Sequence, residues 1–433
     1  MEAATRRRLW QKAKSIYYSL RSLLCFFVSV GTDDVEPHSS TARSDHDGGP
    51  SGTATRSEKD GGETTHELAA IPCHFQFEAL PEVCQLHVFS YLTAQERGRA
   101  SSVCRRWNVL IQSATLWTDV DLTSFSLCCR CSDRPNNDPC SSIFCYEMYK
   151  ERVQLYVEHL ERIRPNVRRF RFAFDIGDYT DDWLDTVSGL LRSLRCSELA
   201  VAHLNWKETP AKSTKIIERT LLSLSATTFN DFTSYHRRRQ RLFANFFDLF
   251  VALAANVVEL SMPFDWSPRS LQALGRLRRL AVLKLDVYFV PQPVTQSTID
   301  ELLHSVPQLR CLSLAVCVSS GAGLVPFRLH SRSLRHLDIA QCSGFCLGQV
   351  DLPRLTSLVA AVQPSHGPLG SVAAHRTCVS TIPCMYDVLK NGAPRLQCLN
   401  GHALHMGWRE VYTDDLHSVL KDICACLAHS CST

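Results

Sequence analysis

The sequence predicts an α/β protein in which a three-helix module on the N-terminal side precedes a solenoid of parallel strands with outer helices. Three observations support this class. Residues 80–117 hold three successive segments with apolar side chains at helical spacing. From residue 167 onward a short apolar frame recurs at fairly regular intervals, with helix-like segments between its copies. A chain of 433 residues, 45% hydrophobic and 21% charged, excludes collagenous, coiled-coil and wholly disordered proteins.

Charge and cysteine content restrict the kind of partner and the compartment. The net charge is only +4, which is too weak to indicate nucleic-acid binding by electrostatics alone. The chain has 20 cysteines scattered from Cys25 to Cys431. A chain of this length does not need disulfides to replace a core, so we interpret most of them as reduced, buried, small apolar residues. This favours the cytoplasm or the nucleus, and no cofactor is expected.

The first 70 residues divide into a basic, apolar segment (1–30) and an acidic linker (31–70). The apolar run at 23–30 has eight residues, whereas a membrane span needs about 20. A membrane span is therefore excluded; a signal peptide and an amphipathic helix, docked on the body or on a membrane surface, remain as alternatives. Residues 31–70 contain 19 Gly, Pro, Ser or Thr residues among 40 and no aromatic residue. Such a composition predicts a disordered linker.

The predicted three-helix module occupies residues 75–120. Pro81 suits the first position of a helix, and Val83, Leu86 and Phe89 form an apolar stripe along it. Thr93 followed by Glu96 predicts a capping box at the start of the second helix. The third helix carries the apolar residues Val103, Cys104, Trp107, Leu110 and Ile111, and Leu116-Trp117 closes the module. Large apolar residues are left over, which suggests a partner surface.

The order and spacing of these residues resemble an F-box. The landmarks are Leu80-Pro81, Phe89-Ser90-Tyr91-Leu92, Ala100, Val103-Cys104-Arg105, Trp107 and Leu116-Trp117. The resemblance implies docking on the Skp adaptor and, through it, on a cullin/RING ubiquitin ligase. Val83 departs from the pattern where an acid is common, and Cys84 where a large aliphatic residue is common. The residues expected to bind the adaptor are Leu80, Pro81, Leu86, Phe89, Leu92, Val103, Cys104, Trp107, Leu116 and Trp117.

A cysteine-rich connector follows at residues 121–146. It contains Cys128, Cys129, Cys131, Cys140 and Cys145, which could offer thiolates to zinc. Adjacent and one-apart cysteines strain a single tetrahedral site, and the segment lacks the two paired Cys-x-x-Cys motifs of a zinc knuckle. We therefore expect no metal here and interpret the segment as a loop whose cysteines are incidental or redox-exposed.

Residues 147–433 are predicted to form the solenoid. A helix ending at Arg164 precedes a strand at 166–172, and further helices are expected at 182–194, 242–255, 268–277 and 297–306. Between 324 and 375 helices are doubtful, and a helix after Thr413 caps the last repeat. Intervals of 21 to 41 residues separate the Leu-x-x-Leu-x-Leu frames and mostly suit leucine-rich repeats. The frames are Val257/Leu260/Met262, Leu280/Leu283/Leu285, Leu309/Leu312/Leu314, Leu334/Leu337/Ile339, Leu355/Leu358 and Leu396/Leu399, with Cys196/Leu199/Val201 and Leu221/Leu224 as fillers.

Function follows from the alternation of side chains along each strand. If the frame leucines face inward, their neighbours Lys284, Ser313 and Asp338 lie on the opposite, concave face, where a ligand can bind. A basic run at 236–241 is either an acidic-substrate site, a nuclear import signal or a solvated surface. We interpret the chain as a non-enzymatic adaptor that presents an unknown protein substrate to the ligase. The alternatives are a scaffold without a degradative role and a cysteine-dependent metal or redox protein.

Overall fold

The computed structural model describes residues 77–125, 143–173, 182–205, 229–286, 294–316, 318, 325–342, 344–360 and 383–424. They fall into two compact units divided after Ile111, a first unit within Met1–Ile111 and a second within Gln112–Thr433. Segments 1–30 and 31–70, and most of the connector at 121–146, lie outside the described residues. The predictions for these segments therefore stay predictions.

The first unit contains three helices, as the sequence predicts: α1 (Glu82–Ser90), α2 (Ala94–Ser101) and α3 (Arg105–Ile111), after a 3-10 turn at Phe77–Ala79. Pro81 lies one position earlier than expected, as the extended N-cap of α1. The capping box is confirmed: the Thr93 N–H and hydroxyl donate to Glu96 Oε2 at 2.7 and 2.8 Å. These two hydrogen bonds hold the pKa of Glu96 below its usual range.

The second unit is built around one sheet. Among the described residues, ten strands pair in the order β1-β2-β3-β4-β5-β6-β8-β10-β11-β12, parallel throughout except for the last pair. The strands of this sheet are β1 (Asp119–Asp121), β2 (Arg169–Ala173), β3 (Val201–Asn205), β4 (Glu259–Pro263), β5 (Val282–Asp286), β6 (Cys311–Leu314), β8 (His336–Ile339), β10 (Ser357–Ala360), β11 (Cys398–Leu399) and β12 (His402–Ala403). A second sheet pairs β7 (Val325–His330) with β9 (Phe345–Asp351).

An outer layer follows the strands, each element in contact with the next. It runs through α4 (Ile143–Ile163), α5 (Trp183–Ser193), α6 (Phe229–Leu253), α7 (Pro268–Leu274), α8 (Gln296–Ser305), β7, β9, α9 (Met385–Gly392) and α10 (Asp414–Ile423). Short 3-10 turns at Ala114–Trp117 and Leu122–Ser124 flank β1. Of the helices described, none is both long and apolar enough to cross a bilayer.

The frame leucines occupy one continuous row across the sheet. Strand pairing places the central residues of successive frames in register, and each is at most 2% exposed. This confirms the predicted inward orientation, since parallel pairing keeps equivalent residues on the same face. The row consists of Leu260, Leu283, Leu312, Leu337, Leu358 and Leu399.

The frame predicted for β3 does not match the residues that face inward in the structure. The sequence suggests Cys196/Leu199/Val201, but the register places Ala202 beside Phe170 and Leu260 as the central inward residue of β3. The small side chain of Ala202 hides that position from a leucine-based pattern, and the buried Cys196 mimics the frame's first residue. The further frame Leu221/Leu224 lies outside the described residues; β3 pairs directly with β4.

Between β6 and β10 the outer layer changes from helices to strands, in a region where helices were doubtful from the sequence. The two-stranded sheet β7/β9 stands between α8 and α9. Its free edge on the α8 side is closed by one side chain: Gln296 donates to the Arg328 carbonyl and accepts from the Arg328 N–H, both at 2.8 Å. On the α9 side, the backbone of Gly392 lies against the Val350 carbonyl, too close for a Cβ atom.

The C-terminal helix α10 begins as predicted. The Thr413 hydroxyl accepts from the Leu416 N–H at 3.3 Å, and Leu416, Leu420 and Ile423 are buried. The ten cysteines that the structure describes are all free thiols.

Candidate functional site

The buried face of α1 differs from the predicted stripe. Val83 is 78% exposed, whereas Gln85 and Phe89 are buried. The Gln85 side-chain amide donates to the Leu80 carbonyl at 2.6 Å, which satisfies a backbone acceptor just before the helix. The predicted stripe is therefore not a single buried face: Phe89 is buried and Leu86 half-buried, but Val83 is exposed. The polar residue Gln85, anchored by the preceding turn, takes the inner position instead.

Three aromatic rings form the centre of the first unit. Phe77, Phe89 and Trp107 contact one another edge to face, with ring centroids 5.2 to 5.4 Å apart. Such T-shaped pairs add roughly 0.5–1.5 kcal/mol each to the free energy of unfolding. The backbone N–H of Trp107 also donates to Cys104 Sγ at 3.4 Å at the start of α3. Of the predicted residues, Phe89 and Trp107 thus help to hold the helices together, and Cys104 caps the start of α3.

The opposite face of α1 points to solvent. Val83, Cys84, His87, Val88 and Tyr91 are all exposed and fall within about 140° of the helix wheel. The Tyr91 hydroxyl and His87 Nε2 are hydrogen-bonded at 3.0 Å, and their rings pack edge to face. We name these five residues the α1 outer face. It is an apolar surface that contains one imidazole and one thiol.

Exposed apolar side chains are concentrated in this unit. Eight large hydrophobic residues are exposed among the described residues, and five lie between positions 83 and 109: Val83, Val88, Tyr91, Val103 and Val109. Exposure of single apolar residues is ordinary, but a cluster of this kind in one small helical unit is typical of a protein-binding surface. Sequence reasoning missed Val83, Tyr91 and Val109 as surface residues, although the helix wheel alone separates the α1 outer face from Gln85 and Phe89.

The predicted adaptor-binding residues have different exposures. Pro81 and Val103 are exposed and Phe89 is buried, while the remaining residues of the first unit are half-buried: Leu80, Leu86, Leu92, Cys104 and Trp107. Leu116 and Trp117 belong to the second unit and are buried there. The Trp117 ring packs against His159 and Tyr156 of α4, with centroids 4.8 and 5.9 Å away. Burial raises the cost of the charged imidazolium and lowers the pKa of His159 to about 4.

The sheet presents a second surface, on the side opposite the frame leucines. Strand register places Lys284 beside Ser313 and Ser313 beside Asp338, in one row. Lys284 is exposed and the other two are half-buried; the Ser313 hydroxyl donates to Asp338 Oδ2 at 3.2 Å. We name this side the open face of the sheet. The three residues predicted for substrate binding are therefore neighbours on it.

Charges on the open face are mixed and largely paired. Arg169 lies 3.0 Å from Asp119 and Arg171 lies 3.6 Å from Asp121 on the adjacent strand. Glu259 contacts His203 at 3.0 Å and Lys284 at 4.0 Å. This face therefore has no single sign of charge along these strands, and its polarity suits hydrogen bonding more than electrostatic attraction.

Metal ligation finds no support in the described part of the chain, which contains no group of three His, Cys, Asp or Glu side chains placed to hold an ion. Cys128, Cys129, Cys131 and Cys140 lie outside the described residues, so the expectation that the connector binds no zinc stays a prediction. Burial raises the pKa of the Cys196, Cys342 and Cys346 thiols to about 11, which makes them poor nucleophiles.

Comparison with known proteins adds a family for the helical unit. Residues 77–123 match the F-box-like family. F-box/LRR-repeat protein 12 of Mus musculus and that of Homo sapiens are each 44% identical over 48 residues, or 11% of this chain and 15% of the relative. The Bos taurus protein of the same name is 41% identical over 51 residues, or 12% and 16%. The chain thus spans about 15% of the length of these relatives, and residues 77–123 form an F-box-like domain.

Proposed function

Because residues 77–123 form an F-box-like domain, we propose that the chain is a substrate-recognition adaptor of an SCF-type ubiquitin ligase. In this proposal the F-box-like domain docks on the Skp adaptor and, through it, on the cullin/RING ligase. The family match over residues 77–123 is the observation that carries the proposal. The exposed apolar side chains of the same segment support it, because they provide the surface that a partner needs.

The geometry suggests different tasks for the predicted docking residues. Pro81 and Val103 are exposed, and Leu80 and Leu86 are half-buried, so a partner can cover them. We add the α1 outer face, with Val83 and Tyr91, to this contact surface. Phe89 supports docking indirectly by fixing α1 against Trp107. Burying such residues at an interface contributes about 25 cal/mol per Å² of apolar area.

The second unit supplies a surface for the substrate. The open face extends over ten strands that are roughly 4.8 Å apart, which gives a length of about 40 Å. Lys284, Ser313 and Asp338 lie in the middle of it and offer a cation, a hydroxyl and a carboxylate. A surface of this length can hold a folded protein or an extended segment while its frame of buried leucines stays unchanged.

Catalysis in this proposal belongs to the partners. The chain raises the effective concentration of substrate lysines near the charged ubiquitin carrier. It acts in the cytoplasm, in the nucleus or in both, where its thiols stay reduced and ubiquitin ligases operate.

The test replaces Leu80 and Pro81 together by Ala in the full chain. Loss of two apolar contacts at an interface costs a few kcal/mol, so co-purification with the Skp adaptor is expected to fall more than tenfold. Val411→Ala serves as the control, since Val411 is an exposed valine of the second unit. Undiminished co-purification in a double variant with an unchanged circular dichroism spectrum would contradict the role of these two residues.

Two alternatives remain distinguishable. A scaffold would bind the adaptor without directing modification of its partner, so ubiquitination of a trapped partner separates it from a substrate adaptor. A cysteine-dependent metal or redox protein would not bind the adaptor at all. It would also contain about one equivalent of zinc, lost when Cys131 and Cys140 are replaced, whereas we expect less than about half an equivalent.

A further inference from the structure

An exposed arginine precedes each of five consecutive strands of the sheet, by one residue before β6 and β8 and by three residues before β5, β10 and β11. In β5, β10 and β11 it directly precedes the first leucine of the frame, and in β6 and β8 it directly follows that leucine. All five side chains are exposed. We name them the strand-start arginines: Arg279, Arg310, Arg335, Arg354 and Arg395.

The backbone register places Arg310 and Arg335 side by side at one edge of the sheet. Arg279, Arg354 and Arg395 lie at the same edge, two residues before the positions of their own strands that align with Arg310. At each strand start, two successive N–H groups donate to one carbonyl of the preceding strand. Thus the backbone N–H of Arg310 donates to the Ala281 carbonyl at 2.8 Å, and the backbone N–H of Arg335 donates to the Arg310 carbonyl at 2.7 Å. In the same way, the backbone N–H of Thr356 donates to the Arg335 carbonyl, and the backbone N–H of Gln397 donates to the Thr356 carbonyl. The five strands span roughly 19 Å at about 4.8 Å per strand.

The charged residues in the segments that lead into these five strands are all arginines. The segments 276–281, 307–310, 332–335, 353–356 and 394–397 together contain eight arginines, no lysine and no acidic residue. None of the five strand-start guanidinium groups has a carboxylate within ion-pair distance in the described parts of the chain, nor any hydrogen-bond partner there. Asp351, three residues before Arg354, is bonded to His330 Nδ1 at 2.7 Å.

On the N-terminal strands β2 and β4, the positions that flank the first frame residue carry no unpaired arginine. Arg168 occupies the same frame position in β2 as Arg310 does in β6, but its Nε donates to Glu198 Oε2 at 3.2 Å. At the start of β4, Asn256 and Val258 replace the arginine, and the Asn256 side chain donates to the Ser197 carbonyl at 2.8 Å. At the two positions that flank the first frame residue, the unpaired arginines of the described residues therefore begin at β5 and continue to β11.

We propose that the strand-start arginines bind an acidic peptide segment of the protein substrate, one that carries several carboxylates or phosphoserines. Guanidinium groups are planar forks that match carboxylate and phosphate oxygens in bidentate geometry, which fits a row built of arginine alone. An extended peptide rises about 3.3 Å per residue, so roughly six residues span the row. This inference rests on the proposed function, because it identifies the substrate by its charge.

A peptide fits better than a nucleic acid or a membrane. The five segments contain no aromatic residue on which bases could stack, and no exposed large apolar residue that could insert into a bilayer. Glu259 and Asp338 lie on the open face beside the row. A continuous phosphate backbone would be repelled by these carboxylates, whereas a peptide can place its anions at the arginines alone.

The experiment measures fluorescence anisotropy of labelled peptides on the purified full chain. The probes are about 12 residues long: alternating Glu and Ser, the same peptide with phosphoserine, and a neutral version with Gln. The test variant carries Arg310→Gln, Arg335→Gln and Arg354→Gln. The control removes the same charge from exposed arginines of the outer helices, with Arg162→Gln, Arg192→Gln and Arg241→Gln.

We expect the two acidic peptides to bind and the neutral one not to bind. Since each exposed charge pair changes affinity by up to about fivefold, the test variant should bind at least about tenfold more weakly, and the control as the unmodified chain does. A stronger effect on the phosphoserine peptide would identify phosphate as the preferred anion, and equal effects would identify charge alone. Equal weakening in test and control variants would overturn the row as the site.

Other outcomes also decide. Binding of oligouridylate or of phosphatidylserine vesicles more tightly than either acidic peptide, lost in the test variant, would overturn the choice of a peptide. Adaptor co-purification is measured on the same variants and should not change. If the adaptor binds but no acidic peptide does, the row fails while the proposed function stands; if the peptide binds but the adaptor does not, the proposed function fails and the row stands as an anion site.

Discussion

Leu312→Ala should destabilise the second unit strongly. Leu312 is 2% exposed and lies in register between Leu283 on β5 and Leu337 on β8, each also buried. Neighbours held on both sides by strand pairing cannot collapse into the space left by the lost side chain. Leu→Ala changes cost about 2–5 kcal/mol, and a site that cannot relax belongs in the upper half of that range. At roughly 2–4 °C per kcal/mol for a unit of this size, the expected fall in Tm is about 10 °C.

The measurement is calorimetric or circular-dichroism melting of the full chain. Ser313→Ala is the control, since Ser313 is the next residue along β6, lies half-buried on the open face and donates one hydrogen bond to Asp338. Its loss should cost about 1 kcal/mol or less. If the two variants lost the same amount of stability, the alternation of buried and open residues along β6 would be refuted.

Two further predictions concern the second unit. The pKa of His159 is about 4 in the folded chain and 6.5 in the unfolded chain, so the unfolded chain binds the proton first as the pH falls. The free energy of unfolding should therefore drop by roughly 2 kcal/mol between about pH 7 and pH 5. Melting of His159→Phe should show a flatter pH dependence, and a pH dependence equal to that of the unmodified chain would contradict the burial of His159. Gly392→Ala should lower the free energy of unfolding by about 2 kcal/mol or more, because the added Cβ would lie 1.9 Å from the Val350 carbonyl oxygen. The control is Gly407→Ala, whose Cβ meets no atom within 3.4 Å. Equal Tm values for the two variants would contradict the contact between Gly392 and Val350.

Repetition makes most of the solenoid predictable from sequence. The buried row from Leu260 to Leu399 follows from a frame that recurs with leucine at its centre, and the capping residues Thr93 and Thr413 predict two helix starts. The frame fails at Ala202, where the inward residue is small. The β7/β9 sheet was also missed, because its identity depends on pairing between residues about 20 positions apart and on Gln296 of a different element.

The docking surface is harder to predict because family landmarks mark both core and surface. Phe89 belongs to the landmarks and is buried, whereas Tyr91, two residues later, is 76% exposed. Which side of α1 faces inward depends on Gln85, whose buried side-chain amide nitrogen donates to the Leu80 carbonyl. A hydrophobicity pattern excludes such a residue from the buried face, and the predicted stripe therefore includes Val83 and omits Gln85.

The central claim, that this chain is an adaptor subunit, is tested most directly by the mass of its complex with the purified Skp adaptor. Size-exclusion chromatography with light scattering measures that mass for the full chain, which weighs 48.7 kDa alone. The account predicts a one-to-one complex that also recruits the cullin/RING ligase, and its loss when Leu80 and Pro81 are replaced by Ala. Separate elution of the folded chain and the adaptor at micromolar concentrations would contradict the claim.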